Sequence, residues 1–262
     1  MRALALVWRL VALLSVAGCV SAFNLATQRE EYTLTSTAKE VETGRKLARQ
    51  VERELTLVAD EPLQQRVDRI GQRIAAVCDR RELDYHFAVV ADEEVNAFSL
   101  PGGYVFIHEG LVKHTAGDDE LAAVIAHEIG HITARHAVKR YEHHLELMLA
   151  QLATMAARQG AAARGVGIAA QAAQLAYARQ DELDADRLGV KYLKAAGFDP
   201  TGMLRFLQKL HQIDLGKSQY LPRDFIKPQY ARTHPYVPQR LRAVKEALFG
   251  VADYVDYLNS PE

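Results

Sequence analysis

The run Gly117-Asp118-Asp119-Glu120-Leu121-Ala122-Ala123-Val124-Ile125-Ala126-His127-Glu128-Ile129-Gly130-His131-Ile132 sets the pattern H-E-x-x-H inside a segment of helical periodicity. Leu121, Val124, Ile125, Ile129 and Ile132 recur at the spacing of one helix face. Asp118 and Asp119 can cap the start after Gly117, and Glu120 is favourable at the positive end of the helix dipole. On such a helix His127 and His131 stand at i and i+4, so both imidazoles project from one face and can reach a single Zn²⁺ at about 2.0–2.1 Å. Glu128 then lies beside the ion. There it can take the proton of a water whose pKa the metal lowers towards about 7, as the oxygen attacks a peptide carbonyl.

Two histidines do not complete a catalytic zinc site, which needs three protein ligands and an open position. A metzincin would place Gly at position 134 and His at position 137, and both are Ala here. Downstream, Arg179-Gln180-Asp181-Glu182-Leu183-Asp184-Ala185-Asp186 offers Glu182 and Asp186 at i and i+4 on a second helix. One of these carboxylates can ligate the ion while the other accepts the outer N–H of a ligand histidine. His136, five positions after His131, is expected on another helix face. The neighbours His143 and His144 point apart, and these three, with His86, His108, His114 and His211, are expected to be solvated.

Composition narrows the alternatives. The 262 residues carry 32 Lys plus Arg against 33 Asp plus Glu, so no basic block is present to neutralise phosphates, and nucleic acid is not expected as a partner. Hydrophobic residues make up 49% of the chain, enough for a packed core. The two cysteines, Cys19 and Cys78, are too few for a thiolate metal site, so His and carboxylate must hold any metal.

The N-terminus reads as an address. Arg2 and Arg9 precede the apolar run Leu10-Val11-Ala12-Leu13-Leu14-Ser15-Val16-Ala17, which is short for a membrane span. Val16-Ala17-Gly18-Cys19 resembles a bacterial lipobox, so residues 1–18 are expected to be a lipoprotein signal peptide and Cys19 the lipidated mature N-terminus. Acyl chains bury methylenes at about 0.8 kcal/mol each and would anchor the protein without a span. Val20, in place of Asp, favours the outer membrane over the inner. Cys78 closes the apolar series Leu63, Val67, Ile70, Ile74, Val77 and is expected to be a buried free thiol.

Outward from the motif, residues 36–58 and 62–78 show helical periodicity. Residues 84–90, 95–100 and 104–107 read as three short strands, with Pro101-Gly102-Gly103 turning the last two into an antiparallel pair. The Ala-rich tract 145–178 is interrupted by Arg158, Arg164 and several glycines, and reads as two amphipathic helices, a lid or a lipid-facing surface. Residues 180–196 form a helix ended by Gly197, and Asp199-Pro200 begins another. The segment 215–238 is loop-like, and a last helix covers 239–249. The fold class is therefore α+β, mostly helical, with a small three-stranded sheet beside the H-E-x-x-H helix.

Four blocks in order, Asn96-Ala97-Phe98 with Pro101-Gly102-Gly103, His127-Glu128-Ile129-Gly130-His131, Arg179 with Glu182, Ala185 and Asp186, and Thr233-His234-Pro235 with Arg240, resemble the HtpX-like zinc metallopeptidases. These are gluzincins related to the prenyl-protease group, and the likeness is greatest to their periplasmic lipoprotein branch. The resemblance implies a zincin-like metallopeptidase domain with one Zn²⁺ per chain, ligated by His127, His131 and Glu182. It implies Glu128 as general base, Asp186 and Arg240 as supporting partners, and His234 near the metal, where it would stabilise the oxyanion or cap the open zinc position. Asn96, Gly102, Gly103 and Tyr104 are candidates for binding substrate as an added strand, with a plain hairpin turn as the alternative.

These readings give a signal peptide over 1–18, a linker from lipidated Cys19 over 19–35, a zinc metallopeptidase domain over 36–250 and a tail over 251–262. The expected function is a zinc-dependent endopeptidase of the bacterial periplasm, lipid-anchored to the membrane, acting on unfolded or misassembled envelope proteins. Outer-membrane assembly machinery is a candidate partner. The rivals are an assembly factor or chaperone with latent protease activity, and a structural lipoprotein whose zinc only staples helices.

Overall fold

The computed structural model describes residues 20–142, 178–214, 230 and 233–250. The expected signal peptide and Cys19, nearly all of the Ala-rich tract, most of the 215–238 segment and the 251–262 tail lie outside the described residues. The element order is β1 (Val20–Asn24), β2 (Arg29–Thr33), α1 (Thr37–Glu54), α2 (Glu61–Ala75), β3 (His86–Val90), β4 (Ala97–Leu100), β5 (Tyr104–His108), α3 (Glu109–His114), α4 (Asp118–Thr133), α5 (Arg179–Ala196), α6 (Thr201–Asp214) and α7 (Val237–Phe249). The chain is α+β and mostly helical, as its periodicities predict. Among the described residues no helix is long and apolar enough to cross a membrane.

Local chemistry sets the helix ends. Ser36 caps α1 by accepting from Lys39 N at 3.3 Å, and Asp60 caps α2 by accepting from Leu63 N at 3.0 Å, with Pro62 in the first turn. Gly197, at φ 75°, ends α5 in the left-handed conformation that favours glycine. The periodicity of α4 predicts one apolar face, yet every residue from Glu120 to Thr133 is buried. The sheet, α2, α5 and α6 all pack around α4, so even its small Ala faces are enclosed.

The strand order is β3-β5-β4, with β3 parallel to β5 and β4 antiparallel to β5. The sheet is a layer between helices. Ala88, Val90, Phe98, Leu100, Tyr104 and Phe106 face Ala48 and Val51 of α1 and Leu55 just after it, while Phe87, Val89, Ala97, Val105 and Ile107 join the main core under α2 and α4. The Pro101-Gly102-Gly103 turn is present. A Cβ at Gly102 would meet Val41 Cα at 2.8 Å and one at Gly103 would meet Asp84 O at 2.3 Å, and both glycines have positive φ, so packing of the turn accounts for them.

Three expectations change. Residues 20–33 are a β-hairpin within the span expected as a linker, tied to the domain by Asn24 Nδ2 donating to Thr133 O at 3.2 Å, Lys139 Nζ at 2.6 Å from Glu31 and Arg187 donating to Ala26 O. Tyr104 lies on the central strand, with both neighbours paired, so β5 has no open edge for a substrate strand and β4 is the edge nearest α4. His108 and His136 are buried where solvated side chains are expected. Cys78 is a buried free thiol as expected, donating towards the Tyr85 hydroxyl at 3.3 Å, and burial raises its pKa.

Candidate metal centre

Gly130 and Ala185 bring the two halves of the site together. A Cβ on Gly130 would stand 2.8 Å from Ala185 O and 3.0 Å from its Cα, so α4 and α5 touch backbone to backbone at this crossing. The close approach turns His127 and His131 towards Glu182 and Asp186, all of them buried. The third contributor is the short segment before α7. His234 N donates to Tyr230 O at 2.7 Å, and Tyr236 at φ 67° turns the chain into α7, leaving the His234 ring against Tyr230 with centroids 4.3 Å apart.

The inward atoms converge. His127 Nε2 lies 3.0 Å from His131 Nε2 and 3.5 Å from Glu182 Oε2, and His131 Nε2 lies 3.5 Å from Glu182 Oε1. Ligands at about 2.0–2.1 Å on the corners of a tetrahedron stand roughly 3.3 Å apart, so these spacings suit one small cation. His234 Nδ1, at 3.3 Å from His127 Nε2 and 3.2 Å from Glu182 Oε1, stands at a fourth corner. His127, His131, Glu182 and His234 thus form a group able to hold a metal ion.

The outer nitrogen of His127 meets a carboxylate. Its Nδ1 is 2.8 Å from Asp186 Oδ1, which also receives Arg240 Nη2 at 2.8 Å, while Arg240 Nε donates to Asp186 Oδ2 at 2.7 Å. Arg240 Nη1 is 2.8 Å from Glu182 Oε2, a charge contact whose angle leaves that oxygen without an aligned donor. His131 is different. Its Nδ1 meets His136 Nδ1 at 2.8 Å, and His136 Nε2 faces Asp181 at 3.6 Å. Arg135 explains the placement: at φ 58° it breaks α4 and folds the next turn back, so His136 does not continue the face count of α4. Arg135 is held there by Glu40 Oε2 at 3.0 Å, and Glu40 also receives Arg80 Nη1 at 2.8 Å.

Glu128 occupies the remaining side. Ser99 Oγ on β4 donates to its Oε2 at 2.9 Å, its Oε1 has no hydrogen-bond partner, and His234 Nε2 is 3.5 Å from that oxygen. The electrostatics follow from burial and charge. Burial and the Arg240 charge oppose protonation of His127, but Asp186 and Glu182 raise its pKa to about 9. Burial pushes His131 well below the usual imidazole value and His136 down to about 3. Burial opposes ionisation of Glu182, yet the His234 and Arg240 charges hold its pKa well below the usual carboxylate range.

The structure thus gathers His127, Glu128, His131, Glu182, Asp186, His234 and Arg240, all drawn from the motif blocks. Asn96 is buried with an unpartnered Oδ1 and its carbonyl accepts from His108 N, while Tyr104 stacks on His86, so neither belongs to the converging group. Ser99, His136 and Tyr230 were not legible as site residues. Ser99 carries a faint signal as the one hydroxyl on the inward face of a strand beside the motif helix.

Comparison with known proteins agrees with this geometry. The chain is 33% identical over 213 residues to the beta-barrel assembly-enhancing protease of Yersinia pestis, covering 78% of this chain and 42% of that protein. It is 31% identical over 216 residues to the protein of the same description from Escherichia coli K12, covering 79% and 43%. It is 30% identical over 192 residues to the mitochondrial metalloendopeptidase OMA1 of Schizosaccharomyces pombe, covering 70% and 52%. The chain spans less than half the length of the first two. The family model of peptidase family M48 matches residues 61–248, which include every member of the converging group, and the chain belongs to that family of metal-dependent peptidases.

Proposed function

We propose that the chain is a zinc-dependent endopeptidase that hydrolyses unfolded or misassembled proteins of the bacterial envelope. The observation that carries this reading is a buried carboxylate with one unpartnered oxygen, Glu128, beside three ligating side chains whose donor atoms approach one another at 3.0–3.5 Å. His127, His131 and Glu182 would hold the ion. When bound, zinc supplies polarisation of the scissile carbonyl and acidification of a water. Glu128 accepts the proton of that water, and Ser99 orients it by occupying the other carboxylate oxygen. Asp186 fixes the His127 tautomer, and Arg240 balances the charge of Asp186 and Glu182. His234 at the fourth corner caps the site in a latent form and must withdraw for substrate to enter. An extended chain would then add to the outer edge of β4, one residue of which already touches Glu128.

His136 supports His131 as Asp186 supports His127, although neutral. His136→Ala is expected to weaken zinc affinity about 10–100-fold without loss of fold, read by competition with a chelator. An unchanged affinity would make His136 a packing residue only.

The extended reading includes cleavage of residues 1–18, lipidation of Cys19, an anchored domain in the periplasm that takes in the 20–33 hairpin, and outer-membrane placement. The shared description "beta-barrel assembly-enhancing protease" supports assembling envelope proteins as substrates. Purified protein is expected to fragment unfolded casein, to stop on chelation and to resume on added Zn²⁺. Casein binding without fragments under every condition would favour an assembly factor instead.

A further inference from the structure

A second group of ligating side chains lies apart from the His127 cluster, where β3 and β5 end. These strands run parallel, with Val90 paired to His108, so the chain leaving β3 starts beside His108. The 91–96 loop is fastened there: Gly110 N donates to Asp92 O at 2.9 Å and His108 N to Asn96 O at 2.9 Å. Within it Glu94 N donates to Asp92 Oδ1 at 2.8 Å, which orients that carboxylate and turns Oδ2 towards His108. Phe98 meets the His108 ring edge-on at 6.2 Å and fixes its plane.

His108 is 5% exposed, and its Nδ1 is buried with no hydrogen-bond partner. Asp92 Oδ2 faces it at 3.8 Å, beyond hydrogen-bond range. An unsatisfied buried nitrogen is costly, and a ligand between the two atoms would relieve it. A nitrogen and an oxygen bound to one ion at about 2.0–2.2 Å stand roughly 3–4 Å apart, which the observed gap fits. Glu94 brings a third donor, all three atoms lying within 4.8 Å of one another. Lys113, the nearby cation, is engaged by Glu93 at 2.6 Å and Glu109 at 3.0 Å.

We propose that Asp92, Glu94 and His108 form a second divalent-cation site, which braces the loop leading into β4. Two carboxylates neutralise the ion, and the imidazole nitrogen selects Zn²⁺ or Co²⁺ over Mg²⁺ or Ca²⁺. The ion ties the ends of β3 and β5 to the segment that precedes the strand carrying Ser99.

The test uses the His127→Ala chain, stripped with chelator and dialysed against Co²⁺ or Zn²⁺. One bound equivalent is expected to remain, with a higher melting temperature on loading. That equivalent and the melting shift are both expected to vanish on adding Asp92→Asn, an exposed position, and likewise on adding His108→Gln. No bound metal in His127→Ala would overturn the proposal and leave a water between the two atoms. Retention in both double variants would also overturn it, since the ion would then sit elsewhere. The outcome is independent of whether the chain is a peptidase.

Discussion

Replacing Glu128 by Gln is expected to lower casein hydrolysis by about 10²–10⁴-fold while leaving the metal content unchanged. The side chain is wholly buried, and one of its oxygens already accepts from Ser99, a bond that a glutamine carbonyl can keep. What the amide cannot do is receive a proton at the other position. Glu128 Oε1 is buried without a hydrogen-bond partner, which is costly unless a reacting group visits it. Its volume is conserved, so the fold should hold. Full activity in the variant would reduce Glu128 to a structural role, and another group would have to accept the proton.

Replacing Arg240 by Met is expected to destabilise the metal-free protein by about 3–5 kcal/mol. The guanidinium is 1% exposed and touches two buried carboxylates, Asp186 at 2.7 and 2.8 Å and Glu182 at 2.8 Å. Removing it leaves both charges in the core with only imidazoles as partners. Arg240 Nη1 also donates to His234 O at 3.3 Å, so the segment carrying His234 loses an anchor as well. Urea unfolding monitored by circular dichroism reads the effect. Loading with Zn²⁺ should recover part of the loss, since the ion would neutralise Glu182. Equal stability of variant and parent would contradict the charge-balancing role.

Local periodicity carried most of the fold. The i, i+4 spacing of His127 and His131, and of Glu182 and Asp186, follows from helix geometry alone, and the structure brings the two pairs face to face. The contact that joins them depends on Gly130 meeting Ala185, which no single window of sequence shows. The central position of β5 was missed because strand spacing says nothing of pairing order, although the unbroken Val105-Phe106-Ile107 run is the mark of a strand covered on both faces. His136 departs from the expected face because the helix does not continue past Arg135, a non-glycine residue in the left-handed region that Glu40, far away in sequence, holds in place. The hairpin over 20–33 is hidden from local pattern because its ties run to Thr133, Lys139 and Arg187. Each of these depends on a long-range partner, where local rules have no purchase.

Metal analysis of the purified wild type beside His127→Ala and Glu182→Ala tests the central claim most directly. The predicted result is one more tightly held zinc equivalent in the wild type than in either variant, the difference being the ion of the His127 cluster. Zinc bound as tightly by Glu182→Ala as by the wild type would mean that α5 does not contribute to the centre, and the peptidase reading of this geometry would fail.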